Sequence, residues 1–146
     1  MDSETAPNRP YEAPVLVGLV FVVLAAVATA GVMVWATGIV QGDGDGSVST
    51  GLIASAFVLV NLVPHAVLGA LLVRRRGDPP PARLVLLVGT VAFAVVDAGF
   101  LISYRGSESS TAALVFVTLP IVLGLVVLAT GLAVLICGWH ARRHGP

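Results

Sequence analysis

Asp97 stands in an otherwise uncharged stretch, Leu84–Ser103, where a carboxylate either carries chemistry or ties helices together. A charged carboxylate at the centre of a membrane costs about 2.5–3.5 kcal/mol on insertion scales, so it turns inward and seeks a partner. Thr90 and Tyr104 lie seven residues to either side. That spacing keeps all three on one helix face, with a drift of only ~20° per heptad. Asn61 and His65, four residues apart in another apolar stretch, share a face of their own helix. At ~1.5 Å per residue, Asn61 lies ~20 Å from Arg74, and Asp97 lies ~21 Å from Arg83. A short connection joins the two stretches and should make them antiparallel neighbours, so Asn61 is expected to donate to the Asp97 carboxylate, with His65 one turn nearer Arg74, at the level of Thr90. Low dielectric disfavours the charged form of either ionisable side chain. Three chemistries fit the group Asp97, Asn61, His65, Thr90 and Tyr104. One is a helix-locking hydrogen bond, a kind that averages ~0.6 kcal/mol in membranes. The others are a proton or cation relay, and a seat for a lipid or small polar ligand.

The elements that must hold these residues are four apolar runs: Val15–Val40, Val48–Val73, Leu84–Ser103 and Thr111–Cys137. About 20 apolar residues match a hydrocarbon core ~30 Å thick. Hydrophobic residues make up 57% of the 146 and charged residues only 11%, far below the roughly 25% of a soluble domain. The expected fold is all-α, an integral membrane bundle of four antiparallel up-down helices. Residues 14–138 form the single membrane domain, with 1–13 and 139–146 as cytosolic tails. Ala28-Thr29-Ala30 has the look of a processing site. The preceding segment is acidic and its apolar run too long for a signal peptide, so the first span is read as retained.

Every basic residue is Arg. With abundant Ala, Val and Gly, this suggests a GC-rich, bacterial source. The connection from Arg74 to Arg83 holds four Arg: Arg74, Arg75, Arg76 and Arg83. The C-terminal tail adds Arg142 and Arg143, and Arg9 precedes the first span, against Arg105 alone on the other side. Positive-inside counting therefore places both termini in the cytosol of a cell-membrane protein. Tyr11 and Trp139 at the inner boundary, and Trp35 and Tyr104 at the outer one, fit the aromatic belts. The six clustered arginines are expected to anchor to anionic lipid heads. Pro79-Pro80-Pro81 is expected to be a stiff extended spacer. Asp43, Asp45 and Ser47 alternate in the Gln41–Ser47 loop. Val48 stands where a calcium loop needs Gly and no Glu closes the motif, so a hairpin loop is expected.

Pro64 and Pro120 interrupt the second and fourth runs. Each frees a carbonyl four residues back, at Val60 and Phe116. Gly124, Gly131 and Gly138 recur every seven residues, and Gly31 and Gly38 form a shorter stripe. Small residues let membrane helices approach closely, so these glycines mark a packing face, within the bundle or toward a partner. Two similar hairpins, each ending in a basic run, suggest a parallel internal repeat.

Enzyme chemistry finds no footing. There is no nucleophile with a paired base, no metal-ligand cluster, no phosphate loop and only one thiol, Cys137. No cofactor or metal is expected, and basic residues hugging the membrane do not suit nucleic acid. Two functions remain. The first is an accessory or scaffold subunit that associates with itself or with a larger membrane partner. The second is a small proton- or cation-coupled transporter or channel built on Asp97, Asn61 and His65.

Overall fold

The computed structural model describes residues 13–36, 48–105 and 112–143. They form four helices: α1 Ala13–Ala36, α2 Val48–Arg74, α3 Pro80–Arg105 and α4 Ala112–Arg143. All four are long and apolar enough to cross a membrane. At 24 to 32 residues they reach roughly 36–48 Å, beyond a hydrocarbon core of about 30 Å. Large apolar side chains cover the outside of the bundle, among them Leu16, Leu24, Leu59, Val95, Leu125 and Ile136. A helix apolar all round suits lipid, since water would reject such a surface.

Two helices extend four residues or more beyond the expected runs. Pro80 and Pro81 do not form an extended spacer; they open α3, four residues before Leu84. Proline fits a first turn, where its missing N–H would have had no intrahelical partner. Pro79 caps that turn, its carbonyl accepting from the amides of Ala82 at 3.0 Å and Arg83 at 3.2 Å. At the other end α4 runs past Cys137 and Gly138 to Arg143. The Arg143 guanidinium stacks 3.7 Å from the centre of the Trp139 ring, one turn back, which favours the extra helix. α2 and α4 stay helical across their interior prolines, Pro64 and Pro120.

Each helix packs on two others. α1 lies against α2 and α3, and α4 lies against the same two. Around the bundle the order is therefore α1, α2, α4, α3, with α2 and α3 on a diagonal. The short connection between α2 and α3 had suggested direct neighbours; it crosses the diagonal instead. The core is a layered stack of Leu68, Leu72, Leu86, Phe93, Leu119 and Leu123, with further residues about them. On α3 the buried positions are Ala82, Leu86, Thr90, Phe93 and Asp97, a single inward stripe at helical spacing.

The glycines that matter for packing are not the seven-residue series. A Cβ on Gly124 or Gly31 would meet nothing within 4 Å, and one on Gly131 would make ordinary contact with Leu71 at 3.9 Å. Gly138 meets only Arg142 of its own helix, and Gly38 lies outside the described residues. Close approaches occur instead at Gly18, 3.1 Å from Leu72, and at Gly89 against Thr130. Gly31→Ala and Gly124→Ala are accordingly expected to keep or raise stability, by up to ~1 kcal/mol of helix propensity each. Thermal unfolding in detergent checks this. A clear loss at either position would mean that another backbone covers it.

Candidate functional site

Three helices deliver the polar centre. α3 brings Asp97 inward on its buried stripe, α2 brings His65 beside Pro64, and α1 brings Thr29. Relative exposures are 1% for Asp97, 2% for His65 and 0% for Thr29. The Thr29 hydroxyl donates to the carboxylate, lying 2.9 Å from both Oδ1 and Oδ2. His65 Nε2 faces Asp97 Oδ2 at 3.4 Å across the diagonal. The edge of the His65 ring meets Phe93 at right angles, with centroids 4.8 Å apart. That contact and the backbone of α2 hold the imidazole from two sides.

The hydrogen-bond directions count the protons. His65 Nδ1 lies 3.3 Å from the Asn61 backbone carbonyl, which can only accept. The tautomer that donates there carries its hydrogen on Nδ1. Nε2 of the neutral ring would then present a lone pair to a carboxylate oxygen, two acceptors face to face. For that tautomer the contact is attractive with one proton between them, held as imidazolium beside carboxylate or as carboxylic acid beside imidazole. Either way the pair is neutral overall, the form that a low-dielectric interior favours.

Asn61 does not reach Asp97. Its Nδ2 donates to the Phe57 carbonyl one turn back at 3.0 Å, and its Oδ1 is buried without a hydrogen-bond partner. Because α2 meets α3 across the diagonal, His65 takes the place expected for Asn61. Thr90, two turns from Asp97, bonds its own helix at the Leu86 carbonyl, 2.8 Å away. Tyr104 packs on Phe116 of α4 with centroids 4.5 Å apart. Of the five residues singled out in the sequence, Asp97 and His65 come together, Asn61 joins them only through its backbone carbonyl, and Thr90 and Tyr104 do not. The missing member was Thr29. It is the lone hydroxyl in α1, and that was the signal available for finding it.

On the other side of Asp97 lies a groove between α1 and α3 of about 470 Å³. Phe21, Ala25, Ala28, Ala94, Ala98 and Asp97 are among its lining residues. It adjoins a second hollow of about 550 Å³ that runs past Gly31 to Trp35. A separate apolar groove of about 440 Å³ between α2 and α4 contains both Pro64 and Pro120. Among the described residues no three His, Cys, Asp or Glu side chains converge as metal ligands would.

At the ends of the helices, Arg74, Arg76, Arg142 and Arg143 are exposed. Arg75 pairs with Asp78 at 3.4 Å, and Arg83 Nε donates to the Asp78 carbonyl. No protein-family model, curated protein or solved structure matches this chain.

Proposed function

We propose that this chain is a small multi-pass protein of a bacterial cell membrane, serving as an accessory or scaffold subunit. The observation that carries this reading is the closure of its polar centre. Asp97 spends its carboxylate on Thr29 and His65, so three helices are tied at one level inside an apolar bundle. A centre that is satisfied from within sets helix geometry, as a rigid scaffold requires. Antiparallel packing is supported by α1 and α2, where Gly18 meets Leu72 and Gly69 meets Val22, so position rises on one helix as it falls on the other. α2 and α4 run the same way, since Pro64 lies by Pro120 and Leu71 by Gly131. The six clustered arginines then share one end, which positive-inside counting assigns to the cytosol together with both termini. There they would meet anionic lipid heads.

The partner would seat along the α2–α4 groove, where Gly124 leaves room for an approaching backbone. Gly124→Leu is expected to remove a specific complex, seen by crosslinking and size exclusion in mild detergent, while the monomer keeps its unfolding curve. A chain that is monomeric in both forms would defeat the scaffold reading.

A second reading, proton- or cation-coupled transport, is favoured by one observation. Asp97, which meets His65, is also among the residues lining a groove on the outer face of the bundle. In liposomes, Asp97→Asn is then expected to abolish pH-driven flux. Flux equal to that of the unchanged chain would exclude it.

A further inference from the structure

We propose that the α1–α3 groove binds an apolar monocation, which pairs with Asp97 in exchange for the proton that Asp97 shares with His65. The proposal rests on the transport reading of this centre and names the chemical class that would use it.

Charge selects the ligand. Asp97 is the only acidic residue in the four helices. It is also among the residues lining the groove, whose walls are otherwise apolar, from Phe21, Leu24 and Ala28 across to Ala94 and Ala98. A ligand that fits those walls has an apolar body. In a medium of low dielectric a lone charge on such a body needs a counter-charge within contact distance. An anion would meet the Asp97 carboxylate and be repelled, while a monocation would complete it. The volume of about 470 Å³ falls in the range of small-molecule sites. Ala28, Ala94 and Ala98 line the groove with Asp97 and carry only methyl groups, leaving small side chains around the buried carboxylate.

The proton count makes the exchange balance. The resting pair holds one proton between His65 Nε2 and Asp97 Oδ2. When a cation takes the carboxylate, that proton has no acceptor of equal strength and leaves for solution. His65 stays neutral, with Nδ1–H on the Asn61 carbonyl. One positive charge enters and one leaves, so the buried centre is neutral throughout. Groups around the pair do not disturb the count. Thr29 of α1 donates without ionising, and α4 carries no ionisable side chain from Ala112 to Ile136. Tyr104 at the far end of α3 is engaged with Phe116.

The test uses two probes of matching shape and opposite charge, tetraphenylphosphonium and tetraphenylborate, with the full chain in nonionic detergent. Binding is read by equilibrium dialysis against empty micelles, and proton release in a lightly buffered solution. The phosphonium is expected to saturate at one per chain and to release one proton; the borate should only partition as it does into micelles. Ala98→Leu fills the groove and leaves the triad in place, so it should weaken phosphonium binding by about tenfold or more. Asp97→Asn should weaken it as much and release no proton. Equal binding of the two probes, binding indifferent to Ala98→Leu, or saturation without proton release each overturns the proposal. Saturable binding without flux in liposomes would sink the transport reading and leave the site standing. Flux that survives Ala98→Leu unchanged would sink the site and leave transport standing.

Discussion

Asp97→Ala is expected to destabilise the bundle by roughly 1–3 kcal/mol, whereas Asp97→Asn should cost under about 1 kcal/mol. The difference follows from what each replacement leaves behind. Alanine strands the Thr29 hydroxyl and His65 Nε2 in an apolar core, and opens a void where the carboxylate was. Removing one member of a fixed buried ion pair would cost more, about 3–5 kcal/mol. That figure applies to a fixed charge, which an imidazole need not carry. Asparagine preserves both bonds: its Oδ1 accepts from Thr29 and its Nδ2 donates to the free lone pair of His65. It removes only the exchangeable proton. Unfolding by SDS titration in mixed micelles measures both variants. If Asp97→Asn proved as damaging as Asp97→Ala, the pair would be held by its charge and the proton count above would be wrong. Replacing Asp97 and His65 together with leucine should recover much of the alanine loss, because no polar group is then left unpaired.

The four helices were legible because a bilayer-length apolar run is a one-dimensional signal, independent of what packs on it. Asp97 and His65 were legible for a related reason: an ionisable side chain in such a run has nowhere to go but inward. Thr29 was not. A hydroxyl can bond its own helix one turn back, as Thr90 and Thr130 do, and so gives no sign of a distant partner. The bond to Asp97 exists because α1 lies beside α3, and loop length does not encode that neighbourhood. The short α2–α3 connection suggested adjacency, yet it crosses the diagonal of the bundle. As a packing face within the bundle, the glycine stripe was misleading on a different count. Seven-residue spacing shows that Gly124, Gly131 and Gly138 share a face, but in a helix apolar all round nothing tells which face turns inward. Gly89, which belongs to no stripe, has the tightest surroundings of the described glycines.

Gly89 therefore carries the second large expected effect. A Cβ built there would lie 2.9 Å from the Cβ of Thr130 and closer still to the two atoms beyond it. Thr130 cannot easily yield. It is buried, and its hydroxyl bonds the Val126 carbonyl at 2.8 Å, which fixes its rotamer. Rotating the side chain would not help in any case, because its Cβ is tied to the backbone. Relief has to come from α3 and α4 moving apart along the most extensive contact in the bundle. Overpacking of this kind costs about 1–3 kcal/mol. Alanine in place of glycine in a helix contributes at most ~1 kcal/mol in return. The clash should therefore win, and Gly89→Ala is expected to lower stability where Gly31→Ala does not. Separating α3 from α4 would also shift Asp97, two turns along α3, against its partners on α1 and α2. Gly89→Ala should then loosen the polar centre as well, seen as faster hydrogen exchange at the His65 ring. Thr130→Gly in the same chain removes the opposing Cβ and should restore most of the loss. If the double variant were no more stable than Gly89→Ala alone, the close approach of α3 and α4 would not be what Gly89 provides.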